Sequence, residues 1–115
     1  MKQLIILFTL ITGLAQAQDF QQVYTVDHTA DNIRTAAGTI DQFIYCTKWG
    51  VAMQFEGDVT LEAKDGRYRL TFDRMYSADS GVLLSDLPQS QKSCQKAMAA
   101  YGEDLHHKIA QWEDF

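Results

Sequence analysis

The sequence predicts an α+β domain: an antiparallel sheet built around a long β-hairpin, with two helices packed on one face, in the order β-α-β-β-β-α. Three observations predict it. Apolar and polar residues alternate with period two from Val51 to Phe72, interrupted at Asp65-Gly66. Stretches with helical spacing lie on either side of that alternation. The chain has 115 residues, a single proline and no Gly/Ser-rich linker, which suits one small domain after a leader.

The leader comes first. Lys2 supplies a positive n-region, Leu4 to Leu14 is an apolar run too short to span a bilayer, and Ala15-Gln16-Ala17 has the small-x-small form of a cleavage site. Residues 1–17 are therefore expected to be a signal peptide, and 18–115 the single domain, periplasmic or secreted. No second long apolar segment follows, so no membrane span is expected. The formal net charge of −5 becomes one unit more negative without Lys2. That field disfavours polyanions, so nucleic acid is not an expected partner.

Phe20 to Val26 alternates as a first strand, with Phe20, Tyr24 and Val26 on one face. Asp27-His28-Thr29 offers helix N-cap chemistry. From Ala30, the residues Ile33, Ala36, Ala37, Ile40, Phe43 and Ile44 form a helical stripe. The helix is expected to end before Gly50, with Cys46 near its last turn and Gly38 off the stripe. Trp49 reads as a core plug or an exposed aromatic anchor, and the core is favoured.

Val51 to Ala63 reads as a long half-buried strand, bent at Gly57. Asp65-Gly66 then makes a two-residue turn, because a type I′ turn needs positive φ at both positions. The register follows. Ala63 faces Tyr68, Leu61 faces Leu70 and Val59 faces Phe72 on the apolar side. Glu62 opposes Arg69, Lys64 opposes Arg67 and Asp58 opposes Asp73 on the polar side. A phosphate-gripping loop would need a helix after its glycine, and here a strand follows. Val82 to Leu84 reads as a short last strand. A long helix begins around Pro88 to Ser90. Cys94, Met98, Tyr101, Leu105, Ile109 and Trp112 mark its buried face, with Gly102 outside it.

The two cysteines, Cys46 and Cys94, are not at metal-ligand spacing. In an oxidising compartment they are expected to form one bridge between the helices, worth roughly 3–4 kcal/mol by the chain-entropy argument.

The stretch Gly57 to Met75, with Lys64-Asp65-Gly66-Arg67-Tyr68-Arg69 at its turn, resembles a family of secreted bacterial proteins of unknown function, numbered 4468. The resemblance implies a TATA-binding-protein-like fold. It implies no activity, cofactor or catalytic residue.

Little in the sequence carries reaction chemistry. His106 and His107 are adjacent and point apart on a helix. Glu103 and His107 share a face at i,i+4 but lack a third ligand, so no metal or other cofactor is expected. His28 reads as a turn residue. Asp58 and Asp73 form a carboxylate pair on an open sheet face, where a catalytic dyad is not expected. Lys64, Arg67, Arg69 and Arg74 concentrate positive charge in an acidic chain, interleaved with Glu62, Asp65 and Asp73. This is a mixed-charge solvated face or a surface that recognises an acidic or peptide partner, and Glu62, Arg67 and Arg69 are the candidate binding residues. The expected function is a non-enzymatic exported binding protein that contacts another protein or an envelope component through its sheet face or hairpin tip. The alternative is a small inhibitor or immunity-type protein acting on a secreted enzyme. A hydrolase ranks last, because no nucleophile–base pair can be named. The oligomeric state is left open.

Overall fold

The computed structural model describes residues 18–113. The expected signal peptide lies outside the described residues. The elements are β1 (Gln18–Thr25), α1 (Ala30–Ala37), β2 (Phe43–Lys48), β3 (Val51–Lys64), β4 (Arg67–Ser77), a 3-10 turn (Leu84–Asp86) and α2 (Pro88–Gln111). The four strands form one antiparallel sheet in the order β1-β4-β3-β2. Both helices pack against one face of it, so the fold is α+β, as the alternation predicted.

The β3–β4 hairpin has the expected register. Ala63 pairs with Tyr68, Leu61 with Leu70, Val59 with Phe72, Glu62 with Arg69, Lys64 with Arg67 and Asp58 with Asp73. Gly66 has φ 87°, but Asp65 is not at positive φ, so the type I′ turn expected is corrected: the two-residue register is kept by a turn with a left-handed residue only at its second position. The turn is also fastened to its own chain. Gly66 N–H donates to His28 O (2.8 Å), Val26 N–H to Gly66 O (3.0 Å) and Ala30 N–H to Asp65 Oδ1 (2.8 Å). Asp65 thus satisfies a free amide at the start of α1, beside Thr29, whose hydroxyl accepts from Asn32 N–H.

Three expectations about secondary structure are corrected. The first helix ends at Ala37, where Gly38 takes φ 65° and donates back to Arg34 O. The glycine is the helix stop rather than a weak interior residue. Phe43–Lys48 is then a strand, not the end of a helix. Its aromatic and β-branched residues alternate, and Trp49 and Gly50, both at positive φ, turn it back onto β3. The helical spacing of Ile40, Phe43 and Ile44 was a coincidence of short apolar runs. The last strand expected at Val82–Leu84 is reduced to one bridge between Tyr76 and Leu83, followed by the 3-10 turn. The β-α-β-β-β-α order survives because the new strand at 43–48 replaces the lost one.

The core lies between the sheet and the helices. Ile33 of α1, Phe55 of β3, Tyr68, Leu70, Phe72 and Met75 of β4, and Met98 and Ile109 of α2 are all buried. Each such side chain contributes about 1.5–3 kcal/mol on removal from water. Cys46 and Cys94 are bridged, with Cα atoms 4.9 Å apart. The bridge ties β2 to α2, not helix to helix as expected, because Cys46 sits on a strand. Gly102 is also corrected: it is buried on α2, against β1. A Cβ there would overlap the Tyr24 hydroxyl, so the missing side chain sets how closely the helix approaches the sheet.

A bulge divides β4. The register slips between Glu56 and Asp58, and the extra residue on β4 puts Arg74 at φ 52°. Gly57 faces the bulge, and a Cβ there would lie 2.9 Å from the carbonyl oxygens of both Asp73 and Arg74. Met75 N–H, freed by the bulge, donates to Asp19 Oδ2 (2.8 Å).

Candidate functional site

The helices leave the opposite face of the sheet uncovered. Alternation puts the even residues of β3 on it, opposite the odd residues of β4 up to the bulge. Along the hairpin this outer face changes character. Near the Asp65-Gly66 turn, cross-strand rows run Val23–Arg69–Glu62 and Thr25–Arg67–Lys64. Beyond the bulge the rows become Tyr76–Glu56–Phe43 and Gln54–Tyr45.

At the charged end, Arg69 donates from Nε (2.8 Å) and Nη2 (2.5 Å) to Glu62 Oε1. Arg67 and Lys64 form no ion pair with any described residue. Two cations therefore stand together on a hydrogen-bonded strand pair without an ion-pair partner among the described residues. Val23, Glu62, Ala63, Lys64, Arg67, Tyr68 and Arg69 line a shallow depression of about 400 Å³. The structure thus brings Glu62, Arg67 and Arg69 together around one concavity. It presents one guanidinium held in place, that of Arg69, a second without an ion-pair partner among the described residues, that of Arg67, and one exposed apolar side chain, Val23.

The carboxylates sit elsewhere, at the bulge. Asp58 is ion-paired with Arg74, which holds its guanidinium pKa above the ordinary value. Burial raises the Asp19 carboxyl, the Met75 amide opposes that rise, and nearby Asp73 adds to it. Among the described residues, no group of three or more His, Cys, Asp or Glu side chains is placed to hold a metal ion.

The histidines are not all on a solvated face. His107 and Glu103 are exposed. His106, however, turns onto the sheet and stacks on Tyr24 with ring centroids 4.9 Å apart. Its Nδ1 lies 2.6 Å from the Tyr68 hydroxyl. Burial pushes the Tyr68 phenol well above its ordinary value, and Tyr24 and Glu103 add to the shift. The phenol therefore keeps its proton, and its hydroxyl is hydrogen-bonded to the His106 imidazole. Tyr68 is 1 % exposed, while Tyr24 and His106 are half-buried, so the cluster braces α2 against the sheet. His28 lies 3.0 Å through Nε2 from Ile109 O, near the end of α2, with its ring edge-on to Trp112.

The sequence pointed to the charged end and missed the aromatic one. Trp49 is 90 % exposed at the β2–β3 turn and is not in the core, because a two-residue turn projects its side chain away from the sheet. Lys48 Nζ lies 5.0 Å above its ring. Phe43 and Tyr45 pack edge to face on the outer side, and the Tyr76 hydroxyl donates to Glu56 (3.1 Å). The usable signals were the Trp-Gly turn pair and the alternation in "FIYCTK".

No family model matches the chain, and no curated protein or solved structure matches it. Among the described residues, no helix is long and apolar enough to cross a membrane.

Proposed function

We propose that the protein is an exported, non-enzymatic binding module whose uncovered sheet face contacts another protein or an envelope component. The observation that carries the proposal is the concavity at the charged end. There Arg67 and Lys64 have no ion-pair partner among the described residues, beside the oriented Glu62–Arg69 pair. An acidic segment of a partner supplies the missing negative charge. The hairpin tip is the weaker contact surface, because its backbone and Asp65 are already engaged by residues 26–30. A periplasmic or secreted location belongs to this proposal, and the intramolecular bridge supports it, since disulfides persist in oxidising compartments. The likeness to the secreted family numbered 4468 belongs to it too, and brings no activity with it.

The test is capture from an envelope extract on immobilised protein. The parent and a Lys92→Ala control, altered on an exposed position of α2, retain the partner. The Arg67→Ala/Arg69→Ala variant loses it while melting like the parent. Equal capture by all three would remove the charged end from the proposal.

A further inference from the structure

We propose that β2 is a dimerisation edge: two copies of the chain join antiparallel through Phe43–Lys48 about a twofold axis at Tyr45, making one continuous sheet. The two-residue turn at Trp49-Gly50 fixes which amides face outward. In such a hairpin the closing pair, Lys48 and Val51, is hydrogen-bonded, and the bonded pairs then recur at every second residue. Cys46 and Ile44 thus bond inward to β3, and the Gly57 N–H to Gln42 O bond continues the series. Phe43, Tyr45 and Thr47 direct their N–H and C=O groups off the sheet. Where β2 ends, the Gln42 side chain takes its place, accepting from Val59 N–H (3.0 Å) and donating to Val59 O (2.8 Å). The outward N–H and C=O groups of Phe43, Tyr45 and Thr47 have no such partner among the described residues, and α2 packs against β2 through Cys46 on the inner face.

Its side chains do not protect it either. Edges are ordinarily blunted by charge, proline or a bulge. From Phe43 to Thr47 there is none of these. Instead the neighbourhood exposes Phe43, Tyr45, Trp49, Val51 and Tyr76, most of the large apolar side chains exposed among the described residues.

Register and charge select a second copy as the occupant. With Tyr45 opposite its twin, Phe43 faces Thr47 at both ends, and every outward N–H meets a C=O. An isologous contact of this kind closes on itself, because it uses both copies of the β2 edge. The strand is basic at one end, Lys48, and acidic just before the other, Asp41. Antiparallel pairing sets Lys48 of one copy opposite Gln42 of the other, next to Asp41, twice over. A parallel arrangement would set Lys48 on Lys48. The β1 edge lacks this complementarity. Antiparallel pairing about Val23 would place Asp19 against Asp27, acid on acid. In the β2 dimer the two charged concavities lie at opposite ends of the joined sheet, so both remain free for partners.

Sedimentation equilibrium on the full chain, purified as the cell leaves it, tests this. The expected result is a species of twice the chain mass, with the amides of Phe43, Tyr45 and Thr47 exchanging more slowly as concentration rises. Tyr45→Lys, at an exposed position, should give a monomer with unchanged far-UV circular dichroism. Lys48→Asp should weaken the dimer, and adding Asp41→Lys should restore it. A chain that stays monomeric at every accessible concentration overturns the proposal. So does a dimer that survives Tyr45→Lys, or one that the charge swap fails to rescue. These readouts are independent of partner capture by the arginine end.

Discussion

Gly57→Ala is the most informative single substitution, because it adds one methyl group where the backbone cannot yield. The Cβ would lie 2.9 Å from two backbone carbonyl oxygens and 2.6 Å from Met75 Sδ. The thioether can swing aside; the carbonyls belong to the bulge and are held by the ladder on both sides and by Asp19 on Met75 N–H. Overpacking of this kind costs about 1–3 kcal/mol, and two backbone clashes place it in the upper half. The alanine also restricts the unfolded chain, which returns roughly 0.4–1 kcal/mol. The net cost is about 2 kcal/mol, which for a domain of this size lowers Tm by roughly 8–16 °C. Thermal melts by circular dichroism measure it. Gly66 is the control with the opposite cause. No atom lies within 4 Å of its Cβ, but φ is 87°. Gly66→Val should cost on the order of 1–3 kcal/mol through backbone strain alone, and Gly66→Asn should recover part of that loss, since asparagine tolerates the left-handed region. Asparagine at position 57 should recover nothing. A Gly57→Ala protein that melts with the parent would refute the bulge geometry and, with it, the division of the outer face.

Peptide mapping without reductant should find Cys46 joined to Cys94 within one chain, and removing both cysteines should cost about 4 kcal/mol for the 48-residue separation they close; two alkylatable thiols in protein taken from the envelope would contradict this. The Tyr68 phenol is held above its ordinary value of 10.0, so its contribution to stability is full below that pH and is lost as pH rises beyond it. Tyr68→Phe should therefore flatten the alkaline limb of the stability profile, and an unchanged limb would show that another group controls it. Mass spectrometry of exported protein should give Gln18 as the first residue, and a retained Met1 would end the export proposal.

The β3–β4 hairpin was legible in the sequence because three local signals agreed there: the period of two, the Asp-Gly turn and the cross-strand charge pairing. The candidate residues Glu62, Arg67 and Arg69 followed from that register. Phe43–Lys48 was illegible because its preceding residues mimic a helical stripe, and only pairing with Val51–Glu56 makes it a strand. That one misassignment hid the aromatic end, since Trp49 acquires its exposure from the turn that β2 creates. His106 was misread for a different reason. Spacing along α2 does not show that Gly102, one turn earlier, lets the helix come close enough for the imidazole to stack on Tyr24. Tertiary contact decided both cases.

The most direct test of the central claim is a footprint of the bound partner on the protein's backbone amides, by hydrogen exchange or by nuclear magnetic resonance shift mapping. The outer-face binding surface predicts perturbation at Val23, Glu62, Arg67 and Arg69 on β1, β3 and β4, with the amides of α2 unaffected. A footprint on α1 and α2, with the outer face of the sheet unperturbed, would contradict it.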